Sequence, residues 1–208
     1  KNQKGTADAT CHILAVGINE YKNPKLNLNY AVADASSFAE AFTSKAEKLY
    51  KNIETTTLYD QEATKDGILN ALKNLEQKAD INDVVIFYYA GHGTMVEGDF
   101  FFVSHESTRL LDRKNLEEKA LAASEVQKHL QNIKALKQII IMDACQSGGS
   151  VELLAQRGAP EEKAIAQLSR SAGIHVMASA GSDQYATEFQ DLGHGLFTYL
   201  LLQALEGD

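Results

Sequence analysis

Short apolar runs alternate along the chain with longer stretches in which apolar residues recur every three or four positions. Cys11 to Ile18 (CHILAVGI) is apolar almost throughout, the pattern of a strand buried on both faces. A polar, proline-containing loop follows over 19–29. Tyr30 to Phe42 then carries Ala31, Ala35, Phe38, Ala39 and Phe42 at helical spacing, with Asn29 as the expected cap. Ile53 to Tyr59 alternates and is rich in Thr, which predicts a second strand. Thr64 is placed to cap a helix carrying Ile68, Leu69, Leu72 and Leu75.

Asp83 to Ala90 (DVVIFYYA) is the strongest strand pattern in the chain, and a turn at Glu97-Gly98-Asp99 predicts a hairpin whose return strand is Phe100 to Val103. Ser124 opens a helix with Val126, Leu130 and Ile133 on one face, and Lys137 to Met142 (KQIIIM) is a fourth buried strand. Ser150 to Ala172 is charged, contains Gly158-Ala159-Pro160 and reads as a partly helical linker. Gly173 to Ala180 is a fifth strand, and Gly195 to Leu205 a closing amphipathic helix. Strands and helices in this rhythm predict an α/β fold, a mostly parallel central sheet with helices on both faces. Ligands of such sheets bind beyond the carboxyl ends of the strands, so the segments that follow each strand are where chemistry is sought.

Composition narrows the function classes. With 208 residues, 44% of them hydrophobic, the chain can bury the core of a single domain. A net charge of −8 repels phosphate backbones, which argues against nucleic acid as a partner. No apolar run approaches the ~18 residues that a bilayer requires, so no membrane partner is expected either. Lys1 to Thr10 is polar, and the chain stops at Glu206-Gly207-Asp208 just after the closing helix; both ends are expected to be cut from a longer protein. Cys11 and Cys145 are too few for a disulfide framework, which points to a reducing, cytoplasmic compartment. Cys11, opening a buried strand, is expected to be an inert core thiol.

Two strand ends carry the chemistry. The third strand is followed by Ala90-Gly91-His92-Gly93-Thr94, and the fourth by Asp143-Ala144-Cys145-Gln146-Ser147-Gly148-Gly149. Adjacent parallel strands would set His92 and Cys145 on one rim although they are far apart in sequence. A thiol with an imidazole beside it can attack a carbonyl as thiolate, and the same imidazole can protonate the leaving amine. Glycines around both residues let backbone N–H groups approach the oxyanion that forms. Either residue alone is more economically read as structural; both together, each ending an apolar strand and flanked by Gly, favour acyl transfer.

Tyr88-Tyr89-Ala90-Gly91-His92-Gly93 together with Asp143-Ala144-Cys145-Gln146-Ser147-Gly148 resembles the caspase-like cysteine peptidases, especially the metacaspases and their bacterial relatives. The resemblance covers nearly the whole chain and implies the caspase-like three-layer sandwich. It implies one catalytic domain over 1–208, with a large-subunit-like part at 11–149, a linker at 150–172 and a small-subunit-like part at 173–208, truncated at its end. It assigns Cys145 as nucleophile, His92 as acid/base and the N–H groups of Gly93 and Cys145 as the oxyanion hole, with no third side chain orienting the histidine.

The resemblance also bears on specificity. Caspases select acidic residues with arginines, and this chain has no Arg before Arg109. Metacaspase-like enzymes place carboxylates in the pocket instead, and Asp143 and Asp34 match those positions. Two carboxylates there would take a substrate Arg or Lys at P1, the residue whose carbonyl is attacked. Ser179 and Asp183 lie in a segment resembling the loop that shapes the substrate groove, and Ala90 stands where many metacaspases have Ser. Within the linker, Arg157, Lys163 and Arg170 are candidate self-cleavage sites. Expected partners are protein or peptide substrates and regulatory domains of the parent protein.

No metal site is expected, because Glu97, Asp99, Glu106 and Asp112 lack EF-hand spacing, although some metacaspases need calcium. His105, His129, His175 and His194 lack metal-ligand spacing and read as structural or exposed. Two other readings compete. One keeps the dyad with a different P1 preference, as in gingipain-like or separase-like relatives; the other is a catalytically silent scaffold. A nucleotide site is discounted, because no glycine-rich phosphate loop follows the first strand.

Overall fold

A computed structural model describes residues 8–145, 168, 173–179, 188–189 and 193–207. Five parallel strands lie at its centre in the order β2 (Asn52–Tyr59), β1 (Thr10–Gly17), β3 (Val84–Val96), β6 (Lys137–Cys145) and β7 (Ile174–Ala178). β4 (Asp99–Phe102) and β5 (Leu121–Ala122) extend the sheet antiparallel from the end of β3. Helices α1 (Ala31–Ala46) and α5 (Leu196–Glu206) pack on one face, α2 (Lys65–Lys78) and α4 (Ala123–Asn132) on the other, with the short α3 (Arg113–Lys119) beside β5. Among the described residues, no helix is long and apolar enough to cross a membrane.

Side-chain alternation accounts for the three layers. Along β1, Cys11, Ile13 and Ala15 join Ala35, Phe38 and Phe197 on the α1–α5 face, whereas Leu14 and Val16 join Leu72, Leu75 and Val126 on the α2–α4 face. Because both sides of each central strand are covered, the runs read as continuously apolar. Thr64 caps α2 as expected, its side chain accepting from the Gly67 N–H at 3.0 Å.

Several boundaries differ from the pattern. Tyr30 rather than Asn29 precedes α1, without a side-chain cap, and the helix runs past Phe42 to Ala46. α3 and β5 were not apparent from periodicity, being too short to repeat a pattern. The ribbon of β8 (Glu188–Phe189) and β9 (His194–Gly195) is likewise too short. The largest difference is at β3, which continues through Ala90 to Val96. Its first part pairs with β1 and β6; from Gly93 onward it pairs with β4, in a hairpin that turns through Glu97 and Gly98, both at positive φ. His92 therefore sits inside a long strand, at the point where its partners change.

Candidate active site

The parallel register of β3 and β6 runs to its last pair, His92 opposite Cys145. Two residues that are 53 positions apart thus become neighbours because Tyr89 to His92 pairs in step with Met142 to Cys145. The His92 side chain is fully buried. Its Nε2 lies 2.7 Å from the backbone oxygen of Leu26, an atom that can only accept, so the proton sits on Nε2 and Nδ1 is the basic nitrogen. The Tyr21 ring lies against it, tilted by 30° at 5.0 Å between centroids, and its hydroxyl accepts from the His92 N–H at 3.0 Å. Tyr89 Oη and the Val103 N–H both donate to the His92 carbonyl. The histidine is thus oriented by a backbone carbonyl of the loop after β1.

Gly91 makes that packing feasible. A Cβ there would stand 2.8 Å from Tyr89 Oη and 3.0 Å from Tyr21 Oη, inside contact distance of both hydroxyls that hold His92.

Strand parity sets the direction of the nearby amides. Ile18 N–H bonds to the Ala90 oxygen and Val103 N–H to the His92 oxygen, so these two residues turn their polar groups toward the β1–β4 side. Gly93, at the alternate position, turns its N–H toward β6. On β6, Ser179 N–H takes the Met142 oxygen on the β7 side, so Asp143 and Cys145 face β3. The Gly93 and Cys145 amides therefore both face the seam between the two strands.

On the same rim, Asp34 of α1 and Asp143 of β6 are both buried, at 4% and 5% exposure. Asp143 accepts from Thr198 Oγ1 at 2.6 Å and from the Ser179 side chain, and Thr198 in turn lies 2.6 Å from Tyr88 Oη. Asp34 accepts from His194 Nδ1 at 2.8 Å and from the Gly195 N–H at 3.2 Å. A Cβ on Gly195 would stand 3.2 Å from Oδ2 of both aspartates, so the carboxylates converge on a position that only glycine fits comfortably. Burial pushes Asp34 up to about 6; the Asp143 charge adds to this, against the His194 and Gly195 hydrogen bonds. Burial also raises Asp143, against bonds from Thr198 and Ser179.

The structure brings Asp34, Asp143 and Ser179 together on the carboxyl rim. Ala90 is wholly buried in β3, opposite Asp143. Asp183, Arg157, Lys163 and Arg170 lie outside the described residues, as does the 150–172 linker apart from Leu168. Cys11 is buried, and burial together with the Asp83 charge raises its thiol to about 11, as befits an inert core thiol. Sequence reasoning missed Leu26, Tyr21, Thr198 and His194. The first acts through a carbonyl and leaves no side-chain signal. Thr198 was concealed within a helical pattern, and His194, read as structural or exposed, is partly buried with Nδ1 against Asp34.

A parallel α/β sheet with a histidine and a cysteine paired on its carboxyl rim defines a caspase-like class of fold. The caspase domain matches residues 10–208, and the chain belongs to that family of cysteine peptidases. A crystal structure of a protein from Geobacter sulfurreducens is similar at a TM-score of 0.67 and 20% identity, over 95% of this chain and 82% of that one. The Drosophila initiator caspase Dronc aligns at a TM-score of 0.45 and 12% identity, over 67% of this chain and 50% of that one. No curated protein matches the chain.

Proposed function

We propose that the domain is a cysteine endopeptidase that cleaves after Arg or Lys through a Cys145–His92 dyad. The observation that carries this reading is the register that ends on His92 opposite Cys145, with two buried carboxylates on the same rim. His92 Nδ1, basic because Nε2 is committed to Leu26, takes the thiol proton. The Cys145 sulfur bonds to the scissile carbonyl carbon, and the π electrons move to the oxygen. The amides of Gly93 and Cys145 stabilise that oxyanion; they also end the β3–β6 ladder, so the oxygen takes them over as its last rung opens. As the C–N bond breaks, His92 gives its proton to the leaving amine. Water, deprotonated by His92, then hydrolyses the thioester and regenerates the thiol.

Asp34 and Asp143 supply the preference for a cation at P1, with Arg favoured by bidentate geometry. The same preference makes Arg157, Lys163 and Arg170 sites of self-cleavage, which mass spectrometry of incubated protein would read. The primary test is hydrolysis of fluorogenic peptides with Arg, Lys or Asp at P1, by wild type and Cys145→Ala, with and without calcium. Cleavage after Arg or Lys that vanishes in the variant is expected. Cleavage only after Asp would overturn the pocket, and turnover that survives in Cys145→Ala would overturn the dyad.

A further inference from the structure

The arrangement around Asp34 goes one step further, and it rests on the basic-pocket reading just given. A guanidinium binds best where both carboxylates are anions, yet two buried carboxylates converging on one glycine disfavour that state. Asp143 is supported by the hydroxyl and the backbone N–H of Thr198 and by the Ser179 hydroxyl, which are neutral donors. Asp34 receives one backbone N–H, from Gly195, and the Nδ1 of His194. Among the described side chains in contact with the two aspartates, His194 is the one able to carry a positive charge.

We propose that His194 is a positioning residue of the P1 pocket: its Nδ1 donor holds the Asp34 carboxylate in charged form and in the orientation that a basic side chain requires. The geometry suits this role. The His194 side chain is 21% exposed and Asp34 5%, so the imidazole sits above the buried carboxylate, nearer to solvent. Nδ1 donates to Oδ1, and the imidazole can do so either as the cation or as the neutral Nδ1–H tautomer. β9 delivers the residue by pairing His194 with Phe189 of β8, in a ribbon separate from the central sheet.

The groups facing Asp34 from the surrounding elements are Asp143 of β6 and the His194 ring and Gly195 N–H of β9. The hydroxyls of Thr198 in α5, Tyr88 in β3 and Ser179 after β7 reach it through Asp143. Asp143 raises Asp34; His194 and the Gly195 N–H oppose it.

The test compares wild type with His194→Phe, which keeps ring volume without a donor, and with His194→Asn, whose Nδ2 stands near the place of Nδ1. KM and kcat on a P1-Arg peptide are measured from pH 5 to 9. The Asp34 carboxyl is titrated separately by 13C NMR in a full-length Cys145→Ala background. In His194→Phe, the Asp34 midpoint is expected to move up by about one unit, and KM to rise about twofold at pH 7 and about tenfold at pH 5, with kcat nearly unchanged. His194→Asn restores both. An Asp34 midpoint and a KM profile unmoved in His194→Phe would overturn the role. If wild type cleaves only after Asp, the basic pocket itself falls; the NMR titration still reads the His194–Asp34 couple, so the two failures are told apart.

Discussion

Each end of the sheet holds a buried aspartate with a histidine partner, and the two pairs are tuned in opposite directions. At the amino edge, Asp83 accepts from the Thr10 N–H at 2.7 Å, the Asp80 N–H at 2.8 Å and His12 Nε2 at 3.2 Å. Burial pushes Asp83 up, but those donors outweigh it, and the carboxyl ends below its ordinary range. At the carboxyl edge, Asp34 has a comparable histidine, yet burial and the neighbouring Asp143 hold it at about 6. The amino-edge aspartate is satisfied by the backbone it ties down, which is how a structural carboxylate behaves. Its counterpart is buried beside a like charge that disfavours its ionised form, a perturbation that is frequent at binding and catalytic sites.

Breaking the pocket should produce the largest effect. Asp143→Ala is expected to lower kcat/KM on a P1-Arg peptide by about a hundredfold, the scale for truncating one partner of a buried charge pair. Steady-state assays would check this, and an unchanged value would remove Asp143 from specificity.

The contrast in stability comes next. Asp34 titrates at about 6 in the native state against about 3.9 unfolded, so the native state binds more protons between those values. Its contribution to stability is therefore lost as pH rises from about 4 to about 6. Asp34→Asn should flatten that fall by up to about 3 kcal/mol in urea titrations at the two pH values. A wild type as stable at pH 6 as at pH 4, relative to the variant, would contradict the raised carboxyl.

Asp83 carries the opposite sign. Its lowered carboxyl contributes stability above about pH 3.9, lost as pH falls through the lower native value. Asp83→Asn is expected to cost about 1–2 kcal/mol at pH 7 and to leave kcat/KM of the folded enzyme unchanged. A selective rise in KM would show that the amino edge reaches the site. The smallest effect is assigned to Thr198→Val, which removes the hydroxyl between Tyr88 and Asp143. About 1 kcal/mol of stability and a severalfold rise in KM are expected, read by thermal melts and P1-Arg kinetics.

Both ends of the sheet were unequally legible beforehand. His92 and Cys145 stand out because each ends an apolar run, His92 between two glycines and Cys145 shortly before Gly148-Gly149, and parallel strands of matched length put such ends side by side. Asp34 and Asp143 could be picked out only through resemblance to metacaspases, since a lone Asp on a helix or after a strand carries no periodic signal. The His12–Asp83 tie was invisible, because His12 lies within a run that otherwise reads as uniformly apolar.

What the sequence determines by itself is burial: which segments are strands, which helix faces are apolar, and which two strand ends carry a thiol and an imidazole. Those follow from local periodicity, because a strand covered on both faces must be apolar throughout and a helix covered on one face must repeat near 3.6 residues. Tertiary structure decides the partners. His194 reaches Asp34 across 160 residues, Thr198 reaches Asp143 across 55, and Leu26 reaches His92 through a carbonyl that every residue possesses. Hydrogen bonds are directional and short, so they exist only once the backbone has placed both groups within about 3 Å, and no pattern along the chain encodes that placement.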